Sequence, residues 1–313
     1  MSAQNVDAES FKLRDASSYD PVSATFDRLT ERFTVPLART LVELAELRDA
    51  ERVLDLGSGT GVVAFQAAAV MKPTAKIIGV DLSEGMLQVA KRKALENELA
   101  DTVRFVTGDV EELEFADASF DRVLSLFAIL HFPNPAIALG EMHRVLRPGG
   151  RLVIGFGSGP PLFSVSALRH FFRRIPELFH RLRGAWLSAP DFLEHLVRKH
   201  LPAAEQPEES QLARSHCRPA TAVPVLLRDA GFQNLQSRWE GHLGFVETAE
   251  EFWALQATYS SLARKRLLTA PPEALASLKD EFFGLCRQVQ ERNGRLAYRY
   301  GAHFITATRS LET

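Results

Sequence analysis

Residues 53–64 read "VLDLGSGTGVVA". A run of apolar residues around Asp55 gives way to glycine at positions 57, 59 and 61, and an apolar stretch of helical composition follows. A glycine inside an element costs roughly 0.5–1 kcal/mol relative to alanine. Three in five residues therefore mark a backbone that must turn sharply or let another group approach it closely. A short apolar run buried on both faces is the signature of a parallel strand covered by helices on either side. The segment thus restricts the chain to layered α/β folds.

The same rhythm continues downstream. Strands are expected at "RVLDLG" (52–57), "KIIGVDL" (76–82), "VRFVTGD" (103–109), "FDRVLSLFAI" (120–129) and "RLVIGFG" (151–157). Between them lie helices over 61–71, over 83–97 with Ser83 as N-cap, and one opened by Asn134-Pro135, a cap followed by a first-turn proline. Repeated βαβ units predict a doubly wound, mostly parallel sheet. "QNLQSRWEGHLGF" and "YGAHFITATR" supply two later strands, making seven in all. Thr248-x-x-Glu251 is a capping box for a helix carrying Phe252, Leu255, Tyr259 and Leu262.

Residues 160–217 break the rhythm. They contain no evident strand, and Val165, Leu168, Phe172 and Ile175 fall at helical spacing, as do Phe192, Leu193, Leu196 and Val197 after a Ser188-x-x-Asp191 start. This predicts a helical insertion. The expected division is an N-terminal tail with helices (1–48), a core (49–159), the insertion (160–217) and the remainder of the same α/β domain (218–313). The polar stretch "MSAQNVDAESFKLRDASS" reads as a frayed tail, not a signal peptide.

Net charge is −2, from 37 basic and 39 acidic residues, which argues against nucleic acid as a partner. No apolar run reaches the ~18 residues of a membrane span. Two cysteines far apart, Cys217 and Cys286, suit a reducing cytoplasm and form neither a disulfide framework nor a zinc site. No residue cluster has metal-ligand spacing.

Ligands of such sheets bind at the carboxyl ends of the strands. Dinucleotides and S-adenosylmethionine both use that place. The dinucleotide fingerprint is G-x-G-x-x-G; here the third glycine comes one residue early, and Val62 stands where the fingerprint requires glycine. Asp81 ends the second strand, 20 residues after Gly61, where a carboxylate can accept both ribose hydroxyls of either cofactor. Asp109 ends the third strand, where it could accept an exocyclic adenine amine or simply form a Gly-Asp turn.

The segments "VLDLGSGTG", "IIGVDLSEGM", "VRFVTGDVEELEF", "SFDRVLSLFAILHF" and "EMHRVLRPGGRLVIGF" occur in this order. Together they resemble a class I S-adenosylmethionine-dependent methyltransferase, of the branch containing the ubiquinone/menaquinone-biosynthesis C-methyltransferases and many small-molecule methyltransferases. "YDPVSATFDRLTERFTVPLA" resembles the lid helix of that branch. The resemblance implies that Asp55 and the backbone of Gly57, Ser58 and Gly59 hold the methionine part. It implies that Asp81, with Leu82 beside it, holds the ribose and that Met86 covers one adenine face. Asp109 and the Val110 N–H would read the adenine edge. The backbone around Leu126 would meet the amino group, and Tyr19 would close over the cofactor. The glycines would then let the methionine part lie against bare backbone. The reaction implied is methyl transfer to a small, partly apolar acceptor.

A sulfonium methyl is already electrophilic, so the protein mainly positions the acceptor in line and excludes water, worth ~7–11 kcal/mol of the barrier. An acidic acceptor also needs a base. His131, just past the fourth strand, has the right chemistry for that role; alternatively it is a helix-entry histidine bonded to backbone. Residues 160–200 carry seven Arg/Lys against three acids. That excess fits a lid that greets an anionic substrate, a peripheral membrane contact, or a solvated basic face on a packed helix, the plainest of the three. Two rival functions share the fold: a nicotinamide-dependent oxidoreductase, and a cofactor-binding partner protein without catalysis.

Overall fold

β1 (Arg52–Leu56), β2 (Lys76–Asp81), β3 (Val103–Thr107), β4 (Phe120–Leu126) and β5 (Leu146–Gly157) lie side by side in the order β3-β2-β1-β4-β5, every adjacent pair parallel. This is the doubly wound sheet expected. A computed structural model describes residues 3–157, 159, 179, 183–189, 191–201 and 219–311. The chain groups into two units, 1–159 with 208–240 and 302–313, and 160–207 with 241–301.

In the first unit β5 continues into an antiparallel partner, the end of β8 (Arg295–Arg309), in a register running from Arg151↔Thr308 to Gly157↔Ala302. β7 (Phe232–Val246) also pairs with β8, and among the described residues the sheet counts eight strands, one more than expected. On one face Leu54, Leu56, Val123, Ile154 and Phe156 meet Ala138, Leu139 and Met142 of helix Pro135–Val145 in one buried cluster. Each of the larger apolar side chains in this cluster stabilises the fold by about 1.5–3 kcal/mol. Helix Val35–Ala45 buries Leu37, Ala38 and Leu41 and packs on β4 and β5. Arg309 Nη1 donates to the carbonyls of His143, Arg144 and Leu146 and so satisfies the end of helix Pro135–Val145.

Residues 3–17 are not a frayed tail. Ala3–Ser17 is a helix, with Phe11 buried and Lys12 and Asp15 turned inward. The N-terminal segment is then tied down by acids: Asp20 Oδ1 accepts from Ser83 Oγ (2.7 Å) and from the Gly85 amide (3.0 Å), and Asp27 pairs with Lys93 at 2.5 Å. Ser83 is the N-cap of helix Glu84–Glu96, accepting from the Met86 amide, as expected. Asn134 does not cap its helix. Its amide and side chain both donate to Glu111 instead.

In the second unit, β6 (Trp186–Ala189) pairs parallel with β8 over Trp186↔Arg295 to Ala189↔Tyr298. The insertion thus contains a strand that was not expected. Its four residues show too little alternation to signal one, and Ser188, expected at a helix start, lies inside it. The helix that follows, Asp191–His200, does carry Leu193, Leu196 and Val197 buried. Thr248 caps Ala249–Tyr259 through the Glu251 amide as expected. Phe192, Phe252 and Phe282 form an aromatic core there. The helical spacing at 165–175 lies outside the described residues.

Candidate active site

The glycine turn joins β1 to helix Val62–Ala68 at the carboxyl edge of the sheet. Gly57, Gly59 and Gly61 have φ of +67°, +52° and +87°, a region that costs a residue bearing Cβ roughly 1–2 kcal/mol. A Cβ on Gly61 would stand 2.7 Å from the rings of Phe105 and Phe65, whereas one on Gly59 would meet nothing within 4 Å. Open space therefore borders the turn at Gly59. The turn amides do not face it: Gly57 and Ser58 both donate to the Val80 carbonyl (2.8 and 3.0 Å), and Gly59 donates to Asp81 Oδ2 (2.8 Å). The end of β2 already uses these amides.

What the turn leaves unmatched is side-chain chemistry. Asp55 is almost wholly buried, and neither carboxylate oxygen makes a hydrogen bond of good geometry; Ser58 Oγ and Thr60 Oγ1 are likewise buried without a partner. Burial pushes the Asp55 carboxyl up to about 7, the nearby Ala64 amide opposes this, and the charge of Asp81 adds to it. An unmatched buried carboxylate costs free energy unless a ligand supplies donors. An ammonium group and hydroxyls are such donors, so these residues fit the amino acid end of S-adenosylmethionine.

Asp81 stands at the end of β2 with both oxygens anchored, Oδ1 by the Ser83 amide (2.9 Å) and Oδ2 by Gly59. Burial raises its pKa, against the pull of the Ser83 and Gly59 amides. Each oxygen keeps a second lone pair for a hydroxyl. Leu82 is half-buried beside it, and Met86 is buried in the first turn of helix Glu84–Glu96. Asp109 and buried Val110 follow β3. Asp109 Oδ1 accepts from the Glu111 amide (2.8 Å), and Oδ2 pairs with Lys12 at 2.5 Å. Lys12 also reaches Glu111 and Glu9. Burial works against its charge, but the bonds to Asp109 and Glu9 outweigh it and raise the ammonium pKa.

β4 ends at Leu126, and Phe127 follows with φ +64° while its amide donates to Gly155 O at 2.6 Å. A non-glycine residue held there stores about 1–3 kcal/mol and is a feature concentrated at functional sites. The chain then enters the short 3₁₀ turn Ile129–His131. The His131 ring bonds side chains: Nδ1 lies 2.7 Å from Asp15 Oδ2 and Nε2 lies 3.3 Å from the Tyr19 hydroxyl. Tyr19 packs edge-on against both His131 and Phe26. Asp15 and Lys12 are the residues that sequence reasoning missed. Both sit in a polar helix without an apolar stripe, so no periodic signal marked them. Among the described residues no His, Cys, Asp and Glu group could hold a metal ion, and no helix is long and apolar enough to cross a membrane.

Residues 47–179 match the model of a family described as a methyltransferase domain. The aklanonic acid methyltransferase DauC of Streptomyces sp. strain C5 is 31% identical over 202 residues, covering 60% of this chain and 90% of that protein. The ubiquinone/menaquinone biosynthesis C-methyltransferase UbiE of Stutzerimonas stutzeri strain A1501 is 35% identical over 159 residues, 50% of this chain and 59% of UbiE. The chain spans little more than half the length of the UbiE relatives it matches. The crystal structure of YcgJ from Bacillus subtilis shares the fold, with a TM-score of 0.52, 20% identity, and coverage of 88% of this chain and 99% of YcgJ. The parallel sheet, its glycine turn and the match to the methyltransferase-domain model define the class of fold. The chain belongs to the class I S-adenosylmethionine-dependent methyltransferases.

Proposed function

We propose that this chain transfers a methyl group from S-adenosylmethionine to a small, partly apolar organic acceptor, with His131 as the base. When bound, the cofactor supplies an electrophilic methyl group. Asp55 would accept from its ammonium group, Asp81 from the ribose hydroxyls, and Asp109 with Val110 would meet the adenine edge. Gly59 gives the ligand room at the turn, and the backbone from Leu126 to Phe127 borders the amino group. His131 takes the acceptor's proton at Nε2, and Tyr19 and Phe26 offer an apolar edge to the acceptor and exclude water. Removing water and fixing the acceptor's approach is the main catalytic contribution such a site makes.

The observation that carries this reading is the buried Asp55 carboxylate left without a hydrogen-bond partner; the open space at Gly59 of the same turn supports it. Relatives named for aklanonic acid and for ubiquinone/menaquinone biosynthesis support a small-molecule acceptor. A cytoplasmic location accords with the sparse cysteines and with a buried, unpaired Cys286. Incubation with S-adenosylmethionine labelled in the methyl group, against a panel of quinols, polyketide acids and small amines, should give a labelled organic product. A protein that binds S-adenosylhomocysteine by calorimetry yet labels nothing in that panel or in a small-molecule extract would overturn the proposal.

A further inference from the structure

We infer that Asp15 is a positioning residue that fixes the ring orientation and tautomer of His131, an inference that rests on His131 being the base. Asp15 Oδ2 lies 2.7 Å from His131 Nδ1, across 116 residues of chain. The Asp15 side chain is only 6% exposed, against 33% for His131, so the carboxylate sits behind the ring and not in competition with an acceptor. An ionised carboxylate only accepts hydrogen bonds, so Nδ1 carries the hydrogen and the lone pair stands on Nε2. Nε2 is the nitrogen that faces the Tyr19 hydroxyl at 3.3 Å. The tyrosine donates to Nε2 until an acceptor takes its place.

The placement of Asp15 is itself secured. Lys12 and Asp15 are three residues apart on helix Ala3–Ser17 and so share a face. Lys12 is tied to Asp109 and Glu111, beyond the third strand. Ser18 Oγ donates to the Asp15 carbonyl at 2.6 Å and closes the helix behind it. One helix therefore presents a cation to the adenine-end acid and a carboxylate to the acceptor-end histidine. In turnover the acceptor's proton passes to Nε2, the imidazolium so formed is stabilised by Asp15 without the proton moving to it, and the proton leaves from Nε2 to water.

The test uses the full chain with ¹⁵N-labelled histidine, the His131 signals being assigned through His131→Gln. Long-range ¹H–¹⁵N spectra of the wild type should show His131 with hydrogen on Nδ1 and none on Nε2 at alkaline pH. Asp15→Asn should populate the other tautomer and slow carbethoxylation of His131 Nε2 by diethyl pyrocarbonate at least roughly threefold, and Asp15→Glu should restore part of it. S-adenosylhomocysteine affinity should stay within roughly twofold in both variants. Wild-type His131 carrying its hydrogen on Nε2 overturns the inference, even if no Asp15 variant folds. So does an Asp15→Asn protein in which tautomer and modification rate are unchanged. If instead His131→Gln methylates an acceptor at the wild-type rate, the base assignment fails, and the tautomer spectra still report separately on Asp15.

Discussion

Gly57 lies so close to Ala128 that a Cβ built on the glycine would stand 2.2 Å from the alanine Cβ. The turn after β1 and the segment after β4 are thus locked together at the carboxyl edge. Gly57 also has φ +67°. Gly57→Ala should therefore destabilise the protein by about 2–5 kcal/mol, combining the left-handed backbone cost with overpacking. Adding Ala128→Gly should recover the packing part and leave the backbone part. Urea denaturation of both variants decides it; a single variant as stable as wild type would show that the contact yields freely.

Asp55 connects stability with binding. Its folded pKa is about 7, above the ordinary carboxylate value of 3.8. Between those values the unfolded chain has released a proton that the folded chain retains. Stability from this group is therefore full below about pH 4, falls as pH rises towards 7, and levels off above it. Asp55→Asn should raise the unfolding free energy at pH 8 by an amount on the order of 1–4 kcal/mol, with little gain at pH 4. The same substitution should weaken S-adenosylhomocysteine binding by at least roughly tenfold. Thermal unfolding at the two pH values, with calorimetry at pH 8, measures both. Equal gains at pH 4 and pH 8 would refute the ionisation account.

The strands β1–β5 and the acids at or near their ends were legible in the sequence because each signal is local. A buried strand needs consecutive apolar residues, a tight turn needs glycine, and strand-tip acids follow at fixed intervals. The N-terminal helix was not legible. It buries Phe11 and makes charged contacts through Lys12 and Asp15, and isolated charges carry no period. The strand Trp186–Ala189 was missed because four residues are too few to alternate. The pairing of His131 with Asp15 and Tyr19 joins segments more than a hundred residues apart, which spacing along the chain cannot encode.

Asp81 is expected to contribute twice, once to the turn and once to the cofactor. Its oxygens hold the Gly59 and Ser83 amides at 2.8 and 2.9 Å. Asp81→Asn keeps one acceptor and the shape but loses the charge. Affinity for S-adenosylhomocysteine should fall by about 1.5–3 kcal/mol, the scale of hydrogen bonds to a charged group. Isothermal titration on a variant shown to be folded by circular dichroism provides the measurement. Unchanged affinity would remove Asp81 from the ribose site.

Lys12 should govern whether the N-terminal helix stays docked. Its ammonium meets Asp109, Glu111 and Glu9, and its side chain is only 11% exposed. Exposed ion pairs are worth little, but a largely buried cation facing several acids is screened less by solvent and salt. Among residues 9–17, whose side chains are described, Phe11 is the buried hydrophobic one, and the helix should exchange faster than the buried strands β1 and β4. Lys12→Met preserves the apolar stem and deletes the charge. Amide exchange over residues 9–17 should then accelerate roughly threefold or more, while amides of β1 and β4 keep their wild-type rates. Because Asp15 rides on the same helix, loosening it should also shift the His131 tautomer in the direction seen for Asp15→Asn. Raising salt should reproduce part of the faster exchange in the wild type and none of it in the variant. Identical exchange in variant and wild type would mean that the helix is held by Asp15 and Phe11 without the help of Lys12.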